Sequence, residues 1–160
     1  MKAFLTSVLV MLGIASVPAQ VKVGDKAPPF HGEDQNGRVI DSKLLKGKKY
    51  VLYFYPKDNT PGCTAQACSF RDNYKELKDN GFTIIGVSSD NKRSHATFSS
   101  DYNLPFAIIA DTAKSIINSF GVGKGLFTQR KTFVVNENGV VTQVIEGVNA
   151  KEHPIKVLSK

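Results

Sequence analysis

The chain has 160 residues with 41% apolar and 22% charged side chains and a formal charge of +7, a globular composition large enough for one domain with a real core. Collagenous, wholly disordered and multidomain readings are excluded. Two cysteines, Cys63 and Cys68, cannot build the multi-bridge framework of a small secreted scaffold, and their closeness in sequence points to chemistry instead.

Residues 1–19 read as a signal peptide. Met1-Lys2 is a short basic start, Ala3 to Val17 is mostly apolar, and Val17-Pro18-Ala19 puts small residues before a cut at Gln20. The run is shorter than the roughly 20 residues of a membrane span and contains Thr6, Ser7 and Ser16. Removing it leaves residues 20–160 as a single domain of 141 residues and takes away Lys2, for a charge of +6. The expected location is exported, periplasmic or secreted, with no stable membrane insertion after signal removal, in a compartment where disulfides persist. The lysines are scattered, with Lys46, Lys48 and Lys49 the tightest cluster. No aromatic residues alternate with basic ones as a nucleic-acid groove requires, so the positive surplus reads as solvated surface.

The first strand is Tyr50 to Tyr55, a continuous β-branched and aromatic run of the kind buried on both faces of a sheet. Pro56 closes it, since proline cannot donate a ladder hydrogen bond. Thr60-Pro61 reads as a helix start, with the hydroxyl as cap and proline in the first turn. Cys63 therefore falls in the first turn of a helix, where free N–H groups and the macrodipole favour thiolate over thiol. Cys68 lies five residues on. Five helical residues separate Cα atoms by about 8–9 Å, whereas a disulfide needs about 7 Å or less. Either the helix begins after Cys68 and the bridge is a static staple, or the first turns melt when the bond forms. So short a loop yields little entropic stabilisation, which weakens the staple reading.

Phe70, Tyr74 and Leu77 share one helix face, stopped by Asn80-Gly81. Strands follow at Phe82–Val87 and Phe106–Ile109, with helices predicted at about 92–102 and 113–120. Gly121-Val122-Gly123-Lys124-Gly125 lacks the sequel of a nucleotide fingerprint and reads as a flexible loop. Thr132–Val135 and Val140–Ile145 flank Asn136-Glu137-Asn138-Gly139 as a hairpin, and Pro154 opens a final helix. The order predicts an α/β, thioredoxin-like fold: a mixed central sheet with helices on both faces. Its ligand crevice lies beyond the carboxyl ends of the strands, where both cysteines sit. His31, His95 and His153 are scattered and read as surface or satisfied histidines, so no metal and no cofactor are expected.

Pro56-x-x-x-Thr60-x-x-Cys63, with Tyr53-Phe54-Tyr55-Pro56-Lys57, Thr60-Pro61-Gly62-Cys63-Thr64 and Cys68, resembles the active-site signature of the peroxiredoxins, in particular the bacterioferritin comigratory protein or peroxiredoxin Q subfamily. The similarity extends through Arg71-Asp72, Gly86-Val87-Ser88, Phe120-Gly121-Val122 and Arg130 to Val135. The resemblance implies a thiol-dependent peroxidase acting on hydrogen peroxide and organic hydroperoxides. In it Cys63 is the peroxidatic nucleophile and Cys68 the resolving cysteine of an intramolecular disulfide, reduced by thioredoxin or a similar dithiol protein. It also implies that Thr60 and Arg130 hydrogen-bond the peroxide and the thiolate, that Pro56 shields the site from water, and that the protein is a monomer. Arg130 by position alone would be an ordinary surface cation at the head of a strand. Two other readings keep the fold: a thiol–disulfide oxidoreductase for exported proteins, disfavoured by the missing Cys-x-x-Cys, and a copper-carrying or purely structural module, disfavoured by the lack of histidine near the cysteines.

Overall fold

A computed structural model describes residues 19–159, so the predicted signal segment before Ala19 lies outside the described residues. In chain order the strands and helices are β1 (His31–Glu33), β2 (Val39–Asp41), β3 (Lys49–Phe54), α1 (Pro61–Asp72), α2 (Tyr74–Asp79), β4 (Phe82–Ser88), α3 (Lys92–Asp101), β5 (Ala107–Ala110), α4 (Ser115–Ser119), β6 (Gly123–Lys124), β7 (Phe127–Thr128), β8 (Lys131–Val135), β9 (Val141–Ile145) and α5 (His153–Leu158). The central sheet has the order β5-β4-β3-β8-β9. β3, β4 and β5 run parallel, while β8 and β9 are antiparallel to their neighbours.

β3 explains the two-layer burial. Tyr50, Leu52 and Phe54 point into one core with Phe30, Ile116, Ile117, Phe120 and Phe133. Val51, Tyr53 and Tyr55 point into the other with Cys63, Ala67, Phe70, Phe98 and Val157. A strand covered on both faces has no polar face to show, hence its unbroken apolar run. Aromatic packing fixes the second core: Tyr53 stacks on Phe70 with centroids 4.6 Å apart, and Phe106 meets Tyr53 edge-on at 5.9 Å.

Two local expectations change, and one element is added. The single helix predicted through Phe70, Tyr74 and Leu77 is interrupted at Asn73. There the Asn73 side chain donates to the Ser69 carbonyl at 2.8 Å, in competition with the helical ladder. The segment read as a flexible loop carries β6, paired with β7 in a short hairpin. The hairpin of β1 and β2 had no alternating pattern to announce it, since none of its residues is buried. The predicted turn before β9 is present, with Gly139 at φ 73°, a conformation glycine adopts without steric cost. Among the described residues no helix is long and apolar enough to cross a membrane.

Candidate active site

The site forms where β3 ends. Tyr55 still donates its backbone N–H to the Val87 carbonyl at 3.2 Å, and half-buried Pro56 then turns the chain out of the sheet. Asn59 takes a left-handed conformation at φ 57°, which asparagine tolerates better than most residues. Thr60 occupies the N-cap position of α1, with Pro61 in the first turn, as predicted.

The predicted hydroxyl cap is absent. The Thr60 hydroxyl donates instead to the Lys57 carbonyl at 2.8 Å, closing the loop on itself. Because no side chain caps α1, the Gly62 and Cys63 amides remain donors at the positive end of the helix. The Thr60 oxygen, with its hydrogen committed, keeps its lone pairs for an incoming donor.

Cys63 is 1% exposed, and its sulfur accepts from Arg130 Nη2 at 3.3 Å. Arg130 stands just before β8, which pairs with β3, and that antiparallel register carries it to the start of α1. Its Nη1 donates to Gln66 Oε1 at 2.5 Å, so a guanidinium anchored on the helix presents its second nitrogen to the sulfur. Gly62 makes room: a Cβ there would stand 3.0 Å from Arg130 Nη2. Gln66, fully buried on α1, is a functional residue the sequence reading missed; its three-residue offset from Cys63 puts both on one helix face. Arg130 is thus no ordinary surface cation.

Both cysteines are free thiols within a single α1 that runs from Pro61 to Asp72. The helix does not begin after Cys68, so the static-staple geometry is excluded, and a bond between them requires the first turns to unwind. α1 is held from outside by the C-terminal segment: the Ser69 hydroxyl donates to the Lys151 carbonyl at 2.7 Å, and Val157 packs into the core that holds Cys63 and Phe70.

Two histidines flank this centre. His153 is fully buried at the start of α5, with Nδ1 2.8 Å from the Thr132 hydroxyl and Nε2 without a partner. Burial, then the Arg130 charge, pushes its pKa down to about 4. His95 pairs with Asp58 at 2.8 Å. Burial pushes the Asp58 carboxyl up, but hydrogen bonds from His95, Tyr55 and Ser94 outweigh it and hold the group below its ordinary value. Tyr53 and Tyr55 are raised, first by burial. His31 is exposed. Asp58, Asp90 and His95 bring potential ligand atoms within 4.8 Å of one another. Asp58 and His95 bond each other, and Asp90 Oδ2 accepts from the Ser88 hydroxyl and the Asp58 amide, so the trio forms one hydrogen-bond network.

This geometry sets a thiol against a cation at the positive end of a helix, where negative charge developing on a bound oxygen would be stabilised. The model of the AhpC/TSA family matches residues 23–144. The chain is 43% identical over 132 residues to the chloroplastic peroxiredoxin Q of Sedum lineare, covering 81% of this chain and 71% of that one. It is 38% identical over 148 residues to the putative peroxiredoxin bcp of Coxiella burnetii, covering 88% and 98%. Among solved structures, peroxidoxin BcpB from Mycobacterium tuberculosis superimposes with a TM-score of 0.83 at 32% identity over 88% of this chain and 96% of that one. Peroxiredoxin Q from Xanthomonas campestris gives 0.78 at 30% over 81% and 87%. The chain belongs to the AhpC/TSA family, within its peroxiredoxin Q and bacterioferritin comigratory protein branch, and is a thiol-dependent peroxidase.

Proposed function

We propose that the chain reduces hydrogen peroxide and organic hydroperoxides at Cys63 and completes each cycle through a Cys63–Cys68 disulfide. The observation that carries this reading is the buried Cys63 sulfur 3.3 Å from Arg130 Nη2 at the start of α1. The Cys63 thiolate attacks one peroxide oxygen. The S–O bond forms as the O–O bond breaks, and the other oxygen leaves as water or an alcohol after taking a proton. Arg130 and the Gly62 and Cys63 amides stabilise the negative charge that builds on the oxygens. Thr60 accepts the peroxide hydrogen, and Pro56 limits access by water.

The Cys63 sulfenic acid then condenses with the Cys68 thiol, forming the disulfide and releasing water. Since α1 is intact in the reduced state, its first turns unwind in this step. The reductant is thioredoxin or a similar dithiol protein, whose two thiols become a disulfide as Cys63 and Cys68 are regenerated. The solved structure of the Xanthomonas campestris bacterioferritin comigratory protein is described in terms of alkyl peroxide reduction, which favours organic hydroperoxides as substrates here as well.

The proposal includes an exported monomer whose mature chain begins at Gln20. A cut at that point is compatible with the packing. Lys131 Nζ reaches Gln20 Oε1 at 3.4 Å, and the Gln20 Cα lies 2.7 Å from where a Cβ of Gly121 would be, so Gln20 already docks on the domain. Intact mass of the protein from an extracytoplasmic fraction tests the boundary, and sedimentation tests the monomer. For the chemistry, hydrogen peroxide and an alkyl hydroperoxide are mixed with the reduced mature protein by stopped flow. Reaction no faster than that of free cysteine refutes the peroxidase. Insulin reduction at the rate of a thiol–disulfide exchanger would favour the alternative oxidoreductase.

A further inference from the structure

We infer that the buried Asp58 and His95 pair is a positioning device that holds the peroxide-reactive loop in register with Cys63. The inference rests on the peroxidase reading above and goes beyond it, because neither residue touches the sulfur.

Asp58 is the centre of the loop between Pro56 and Pro61, and it is tethered through its amide and both carboxylate oxygens. Its amide donates to Asp90 Oδ2 at 2.9 Å. Its Oδ1 accepts from the Tyr55 hydroxyl at 2.6 Å, and its Oδ2 accepts from the Ser94 hydroxyl at 2.7 Å and faces His95 Nδ1 at 2.8 Å. Asp90 is itself fixed by the Ser88 hydroxyl at 2.7 Å. The loop is therefore bolted to the end of β3, the end of β4 and the first turns of α3. The next turn of chain carries the reactive geometry, since the Thr60 hydroxyl bonds the Lys57 carbonyl across Asp58.

His95 transmits this hold to β5. It is 0% exposed, and its Nε2 lies 3.2 Å from the Ile109 carbonyl, which can only accept. Its Nδ1 faces the Asp58 carboxylate. Both ring nitrogens thus meet acceptors, and satisfying both requires two N–H groups: an imidazolium paired with a carboxylate. A buried ion pair is a poor source of stability compared with apolar packing of the same volume, whereas fixing one geometry is a use it serves well. A carboxylate accepts through two oxygens in one plane, so Tyr55, Ser94 and His95 together fix both the position and the rotation of residue 58. A misplacement of the loop of about 1 Å is enough to cost a large factor in rate.

The test compares wild type with H95Q, D58N and the D58N/H95Q double variant. The readouts are the second-order rate constant with hydrogen peroxide at fixed near-neutral pH, the ultraviolet absorbance of the Cys63 thiolate, and Tm. Each variant is expected to react about 10-fold or more slowly while the thiolate absorbance stays at the wild-type level, because Arg130 and the helix start are untouched. Restoring neutrality in the double variant is expected to recover Tm. An amide has one acceptor oxygen where the carboxylate has two, so the loop contacts are not rebuilt and the rate stays low. A double variant that regains both Tm and rate shows a merely structural pair and overturns the inference. So does H95Q reacting like wild type.

S94A provides a route independent of the ion pair. It removes one tether and leaves both charges, so a folded variant slowed about 2- to 3-fold supports the inference, and an unchanged rate contradicts it. Wild-type protein that itself reacts no faster than free cysteine refutes the peroxidase reading. Fast wild type with equally fast variants refutes this inference alone.

Discussion

Acid should loosen this protein through His153 before its carboxylates are protonated. In the folded state the ring is fully buried, bonded at Nδ1 to Thr132 and repelled as a cation by Arg130, so its pKa is about 4. In the unfolded chain it returns to about 6.5. A histidine with a depressed folded pKa binds its proton preferentially in the unfolded state. Its neutral form is therefore no handicap above pH 6.5, and stability is lost as pH falls from about 6.5 to about 4. The difference of about 2.5 pH units corresponds to about 3 kcal/mol, or about 10 °C in Tm for a domain of this size. Asp58, whose pKa is lowered, has the opposite sense, contributing stability above the ordinary carboxylate range that is lost only at lower pH. The assay is denaturant or thermal unfolding of wild type and H153L from pH 7 to pH 4. The wild-type curve should fall by about 3 kcal/mol more than that of the variant across this window. Because only the difference in pH dependence is read, a fixed packing cost of leucine does not matter. Parallel curves would show that His153 does not carry the acid sensitivity, as would a wild type that gains on the variant in acid.

Three further outcomes follow from the contacts. R130M should retain the fold but lose about 10²- to 10³-fold in the second-order rate with hydrogen peroxide, the usual cost of removing a donor from a developing oxyanion; a rate within threefold of wild type would remove Arg130 from the mechanism. G62A should separate stability from activity. The new methyl group, 3.0 Å from Arg130 Nη2, displaces the guanidinium and slows peroxide reduction about 10-fold, while alanine in place of glycine in a helix leaves Tm unchanged or slightly higher. C68S should consume one equivalent of peroxide at the wild-type rate and then stop, leaving a sulfenic acid trapped by dimedone; sustained turnover with a dithiol protein reductant would exclude Cys68 as the resolving group.

The sheet and the placement of the site were legible because their signals are local and strong. Tyr50 to Tyr55 is an unbroken apolar run, and only a strand buried on both faces needs one. Thr60-Pro61 announces the start of α1, and the position of Cys63 in its first turn follows by counting. A cap and a loop-closing bond to Lys57 use the same residue type at the same position, so the sequence does not separate them, and the structure gives the Thr60 hydroxyl to Lys57. Arg130 became a site residue through the resemblance and through the pairing of β8 with β3, a contact across 67 residues of sequence that no local pattern encodes. Gln66 and the pair of Asp58 and His95 were hidden for the same reason: each is an unremarkable polar residue until tertiary structure buries it beside its partner.

The proposed cycle requires that reduced Cys63 react with peroxide and be captured by Cys68 within the same chain. Its most direct test is a free-thiol count with intact mass on the reduced protein after one equivalent of hydrogen peroxide, with C63S in parallel. Rapid loss of both thiols and of two hydrogens in mass is expected, with no change in C63S. Retention of both thiols would contradict it, as would addition of oxygen to Cys63 with Cys68 still free.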